Sequence, residues 1–110
     1  MDYISLNTAI SITGLSKRTL WRRIAEGVLR TDPTVEPGER TRVAVDDVAP
    51  LARLALTPAL RELAIAADAG LAEAQCDLGL NFLAAGLDAE GAAWLALAAN
   101  RAHLDAMHWL

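Results

Sequence analysis

A single cysteine, Cys76, excludes an internal disulfide, and the two histidines leave too few soft ligands for zinc, since neither a CxxC nor an HxxxH spacing occurs. His103 and His108 stand five residues apart, off a common helix face, and are expected as surface or packing residues. No apolar run reaches the roughly 18 residues of a membrane span. The opening MDYISLN has neither the basic nor the apolar region of a secretory leader, so a cytoplasmic protein without membrane attachment is expected. Paired carboxylates, a nucleophile beside a base, and a phosphate-cradling loop are also lacking. The Gly-x-Ser of TGLS has no G-x-S-x-G elbow around it. No enzyme, cofactor or metal is therefore expected.

What remains is a globular composition, 54% hydrophobic and 22% charged, too apolar for a disordered chain. A length of 110 residues can bury one modest core or two very small ones. The net charge of -4 is unevenly spread: residues 1–50 carry seven cations and seven anions, whereas residues 51–110 carry three cations and seven anions. Within the neutral half, residues 17–30 hold Lys17, Arg18, Arg22, Arg23 and Arg30 against Glu26 alone. A local basic patch sits in an acidic molecule.

The two halves also differ in composition. Alanine occurs four times in the first fifty residues and nineteen times in the last sixty, which favours closely packed helices at the rear. Between them lies GVLRTDPTVEPGERTRVAV, where Pro33, Pro37 and Gly38 are flanked by β-branched residues. This predicts a hairpin with strands near residues 28–30 and 41–45 and a loop over 31–39. The rest predicts helices. One is capped by Ser5 and stopped by Gly14, and a second runs from Ser16 to Gly27. A third is capped by Asp46 or Asp47 and runs through Leu51, Leu54 and Ala55. A fourth is opened by Thr57-Pro58, and others cover about 72–85, 88–101 and from Leu104 onward.

On the second helix, at about 100° per residue, Leu20, Trp21, Ile24 and Val28 share one side and Arg18, Thr19, Arg22 and Glu26 the other, with Arg23 at the margin. Trp21 is thus expected in the core. A charged helix face alone is an ordinary solvated surface. Here, however, it follows a short helix and the turn TGLS, the helix-turn-helix arrangement. A helix fits the major groove of duplex DNA, where guanidinium groups bond guanine O6 and N7 or neutralise phosphates. The candidate DNA-binding residues are Ser16, Lys17, Arg18, Thr19, Arg22 and Arg23. Ser16 and Thr19 are suited to a phosphate at the helix N-terminus, and Arg40 and Arg42 lie on a hairpin wing spanning 31–42.

At these residues the sequence resembles the winged helix-turn-helix of MerR-type regulators and phage excisionases. Ser5, Ala9, Gly14, Ser16, Thr19, Leu20, Trp21, Arg22, Glu26, Gly27, Asp47, Val48 and Leu51 match the family's order of cap, helix contact, Gly-x-Ser turn, reading helix and wing closure, over roughly half the chain. Thr8 stands where the family often has Glu. The resemblance implies DNA contacts from the start of the second helix and from the wing.

The rear half is internally repetitive. At an offset of 32, AADAGLAEAQCDL aligns with AANRAHLDAMHWL, with Ala66, Ala67, Ala74 and Leu78 returning as Ala98, Ala99, Ala106 and Leu110 and Gly70 replaced by Ala102. A period of this length marks stacked helical pairs. The order Ala74, Leu78-Gly79, Phe82, Gly86, Trp94, Ala98-Ala99, Ala106 is similar to the Sel-one-like repeat of the tetratricopeptide superfamily, over about residues 58–110. One full repeat and two fragments leave an open end that needs a cover. Trp94, Leu97, Met107, Trp109 and Leu110 are the candidate residues for a homodimer or partner interface, and HWL reads as a pattern cut in its middle.

The expected architecture is mainly α: a winged helix-turn-helix with a small β-hairpin wing over 1–56, then α/α repeat hairpins over 57–110. The leading function is a sequence-specific DNA-binding transcriptional regulator, bacterial or phage, reading double-stranded DNA with residues 16–26 and dimerising or recruiting a protein partner through its rear helices. The alternative is a protein-interaction adaptor built on the repeats.

Overall fold

The computed structural model describes residues 1–35 and 40–109, and in the last helix the side chains through residue 102 and that of Leu104. It is mainly helical with a small antiparallel two-stranded sheet, and its backbone divides into two compact units, Met1–Leu56 and Thr57–Leu110.

In the front unit, β1 (Tyr3–Ser5) leads directly into α1 (Leu6–Thr13). Ser5 ends the strand and caps the helix, its hydroxyl accepting from the Thr8 N–H. Gly14 closes α1 at φ 72, a left-handed conformation that costs a residue with a Cβ, and returns its N–H to the Ile10 carbonyl at 2.8 Å. After Leu15, Ser16 caps α2 (Lys17–Ala25). The segment β2 (Arg42–Ala44) pairs with β1, Ile4 opposite Val43, and is followed by α3 (Val45–Val48) and one 3-10 turn, Ala49–Leu51. Ile4, Ala9, Ile12, Leu20, Leu29, Val43, Val45 and Val48 form the buried core beneath these elements.

Three expectations are corrected in this unit. Residues 28–30 do not form a strand. Instead β2 has β1 on one side and a single bridge, Thr31 to Val43, on the other, with Asp32 N–H donating to the Arg42 carbonyl and Ala44 N–H to that of Arg30, each at 2.9 Å. Gly27, at φ 78, turns the chain as α2 ends, which exposes Val28 and buries Leu29 in the place expected of Val28. Neither Asp46 nor Asp47 caps the third helix. It begins at Val45, whose N–H donates to the Asp2 carbonyl in continuation of the sheet, and it is over by Leu51.

In the rear unit, Thr57 caps α4 (Pro58–Asp68), its hydroxyl accepting from the Leu60 N–H with Pro58 at the first helical position. Then come α5 (Ala72–Ala84) and α6 (Asp88–Trp109). The buried positions keep helical spacing: Leu60, Ala64 and Ala67 on α4, Ala74, Leu78 and Phe82 on α5, Trp94 and Ala98 on α6. Helices α5 and α6 approach backbone to backbone at Gly79 and Gly91, where a Cβ on either would stand 3.0 Å from the other's carbonyl oxygen.

The break expected between residues 101 and 104 is absent, and α6 runs through it. At the aligned position between α4 and α5 the chain turns at Gly70 with φ 97, a conformation that would strain Ala102, which stays in α6. With no glycine at residues 100–102 the helix continues.

Candidate nucleic-acid interface

The turn between α1 and α2 is held from several directions. Thr13 donates its hydroxyl to the Ala9 carbonyl at 2.8 Å, and that same oxygen accepts from the Leu15 N–H at 3.1 Å. Arg53 donates its backbone N–H to the Ile12 carbonyl at 2.9 Å and its Nη2 to the Ser11 carbonyl at 3.0 Å, placing a cation at the negative end of α1. A Cβ on Gly14 would displace that guanidinium, the end of a flexible side chain, and the left-handed φ of 72 is the feature that favours glycine at the turn. Arg53 belongs to the front unit, which therefore carries eight cations and seven anions, while the rear carries two and seven.

On α2, Leu20 is fully buried and Ile24 and Arg23 are half-buried, while Lys17, Arg18 and Arg22 are exposed. Among the described residues, no side-chain hydrogen bond or ion pair engages Lys17, Arg18, Arg22 or Arg23. Ser16 and Thr19, expected to hold a phosphate, are partnered within the helix. The Ser16 hydroxyl accepts from the Thr19 N–H at 3.1 Å and donates to the Thr19 hydroxyl at 2.9 Å. Trp21, expected in the core, is 40% exposed. It follows Leu20 by about 100° on the helical wheel and so sits at the edge of the apolar stripe.

The two residues expected on a wing behave differently from one another. Arg40 is exposed with φ 33, whereas Arg42 is half-buried and donates its Nη2 to the Tyr3 carbonyl at 2.7 Å, across the β1–β2 pair. Arg42 thus spends part of its donor capacity on the sheet. Asp32 makes an Asx turn, accepting from the Thr34 N–H at 2.9 Å and hydroxyl at 2.7 Å. These bonds, the hydroxyl's first, hold its carboxyl below the ordinary range. Residues 36–39 of the expected wing loop, including Glu36 and Glu39, lie outside the described residues.

One ion pair was missed. Arg30, counted only as part of the basic cluster, forks onto Asp47 through Nε at 2.9 Å and Nη2 at 3.0 Å, and its backbone N–H donates to the same carboxylate at 2.8 Å. Residues seventeen apart give no local signal of such a pair. The side-chain bond from Arg30, then the backbone bond, holds the Asp47 carboxyl below the usual range against a smaller opposing effect of burial. A depressed folded-state pKa means that the stabilisation is present above the ordinary carboxylate value and lost as pH falls through the lowered one. Asp47→Asn is therefore expected to lower the melting temperature at neutral pH and to flatten its decline in acid, with variant and parent converging at the lowest pH. Parallel melting curves at every pH would show that the pair contributes nothing.

Of the candidate interface residues at the rear, Leu97 is 50% exposed, but Trp94 is buried at 6%. Trp94 fills the space beside Gly79, its Cβ 3.2 Å from where a Cβ on that glycine would stand, so it belongs to the core of the rear unit. Leu110 and the side chains of Met107 and Trp109 lie outside the described residues. Leu71, Leu80 and Leu104 are further exposed leucines of this unit. Among the described residues there is no cluster of three metal-ligating side chains, and no helix is long and apolar enough to cross a membrane. Comparison of the chain with protein-family models, curated proteins and solved structures gave no match.

Proposed function

We propose that the protein binds double-stranded DNA as a sequence-specific transcriptional regulator of the bacterial or phage winged helix-turn-helix type. In this reading α2 enters the major groove, Arg18 and Arg22 meet bases or phosphates there, and Lys17, Arg23 and Arg40 neutralise flanking phosphates. The observation that carries the reading is the set of four cations on α2 without side-chain partners among the described residues, on a helix held by a two-helix turn. Ser16 and Thr19 contribute by fixing the helix start, the Ser16 hydroxyl taking the Thr19 N–H, and the start of the helix dipole favours an anion there. Arg42 is the weakest of the proposed contacts because Tyr3 already occupies one of its donors.

The rear unit, in the same proposal, is a partial Sel-one-like repeat serving dimerisation or recruitment, with Leu97 as part of the contact. A second reading, a protein-interaction adaptor, is favoured by the exposed leucines Leu71, Leu80, Leu97 and Leu104 in that unit. The two are separated by duplex retention at low salt by the full chain, and by its loss when the charges of Arg18 and Arg22 are removed.

A further inference from the structure

Trp21 is an unusual outlier on α2. Its neighbour Leu20 is fully buried, yet the indole remains 40% exposed, and among the described residues its N–H has no hydrogen-bond partner. Lys17 and Arg18 precede it by one helical turn and Arg22 follows it directly, all three exposed. The anion of this segment, Glu26, lies beyond the helix end as its C-cap. An apolar side chain so placed is surrounded by charges that complement a polyanion and repel a basic partner.

Resting on the DNA-binding reading above, we infer that Trp21 is a specificity residue that recognises thymine in the major groove. Thymine is the base that presents an apolar group there, the C5-methyl, beside the O4 acceptor. An indole offers the complementary pair, an apolar ring and one N–H donor. The neighbouring Arg18 and Arg22 supply the donors that guanine or phosphate requires, so the outer side of α2 carries both kinds of major-groove chemistry. Contact with the methyl group also withdraws from water the ring surface that the core leaves exposed.

The test uses the full chain and a duplex that it selects from a randomised pool, with each thymine then replaced in turn by uracil to remove the methyl alone. For the parent chain, one such replacement is expected to weaken binding by about 3- to 5-fold, the loss for a single buried methyl-sized group. Trp21→Ala should bind the thymine duplex about 10-fold more weakly, ignore the same replacement, and keep the parent's salt dependence, since no phosphate contact is lost. Trp21→Phe, which keeps an aromatic face, should retain sensitivity to uracil. Circular dichroism of the two variants checks that a half-exposed position has been changed without unfolding. Equal duplex affinity of Trp21→Ala and the parent overturns the inference, as does a fall in salt dependence like that of an arginine variant. Loss of self-association with duplex binding intact also overturns it and places Trp21 in a protein contact. Selection of no duplex by the parent chain would instead sink the underlying DNA-binding reading.

Discussion

Replacing Arg18 and Arg22 together by Ala is expected to weaken duplex binding about 100-fold at roughly 0.1 M salt and to reduce the slope of log affinity against log salt by about two. Each phosphate neutralised by a side chain releases close to one condensed counterion. The loss of two such contacts alone costs nearly two decades of affinity at that ionic strength. If either guanidinium instead bonds a guanine edge, about 1–3 kcal/mol of discrimination between bases is lost as well, and specificity at that position relaxes. The folded state should hardly notice. Both side chains are exposed, neither has a side-chain partner among the described residues, and alanine is the better helix former. Fluorescence anisotropy across a salt series, with circular dichroism as the control for folding, reads both quantities. An unchanged affinity and slope would leave the cations of α2 as a solvated surface and turn attention to the rear helices.

The largest expected effect on stability comes from Phe82→Ala. Phe82 is the largest fully buried side chain among the described residues and lies on the face of α5 that also carries Leu78. Truncating a buried phenylalanine costs about 3–5 kcal/mol through lost transfer energy and the cavity left behind. A unit of this size has a total stability of only about 3–8 kcal/mol. The variant is therefore expected to lose most or all of the cooperative helix unfolding of the rear unit. The close approach at Gly79 and Gly91 limits how far α6 can collapse into the vacated space. Urea denaturation followed by far-ultraviolet circular dichroism measures the change, and a loss below about 1 kcal/mol would mean that Phe82 is packed far more loosely than its full burial implies.

What could be read from the sequence was what is decided locally. Ser5, Ser16 and Thr57 were recognisable as caps because a hydroxyl three residues before a donor N–H is a matter of adjacent chain, and Gly14 was recognisable as a stop for the same reason. What escaped was decided at a distance. The partner of β2 is Tyr3–Ser5, about forty residues away and too short to show alternation, so the sheet looked like a local hairpin. Asp47 looked like a cap until Arg30 claimed it from across the unit.

The candidate site was legible in its charges and less so in its apolar residues. Arg18 and Arg22 are exposed as helical spacing predicts, on the side opposite Leu20 and Ile24, whereas Lys17 falls by spacing near Ile24 and is exposed because it opens the first turn of α2. Trp21 could not be placed from spacing alone, since it sits where the stripe meets the solvent side and small rotations of α2 decide its burial. Trp94 shows the converse error. An incomplete repeat array suggested that Trp94 covers an open end, yet it is buried in the space beside Gly79, where α5 and α6 come together.

The most direct test of α2 as the reading helix is amide chemical-shift mapping of the full chain with a saturating duplex. The largest changes are expected at residues 16–23 and 40–43, with α4 and α5 little altered. Changes concentrated on α5 and α6, or no changes at concentrations that saturate the duplex, would contradict it.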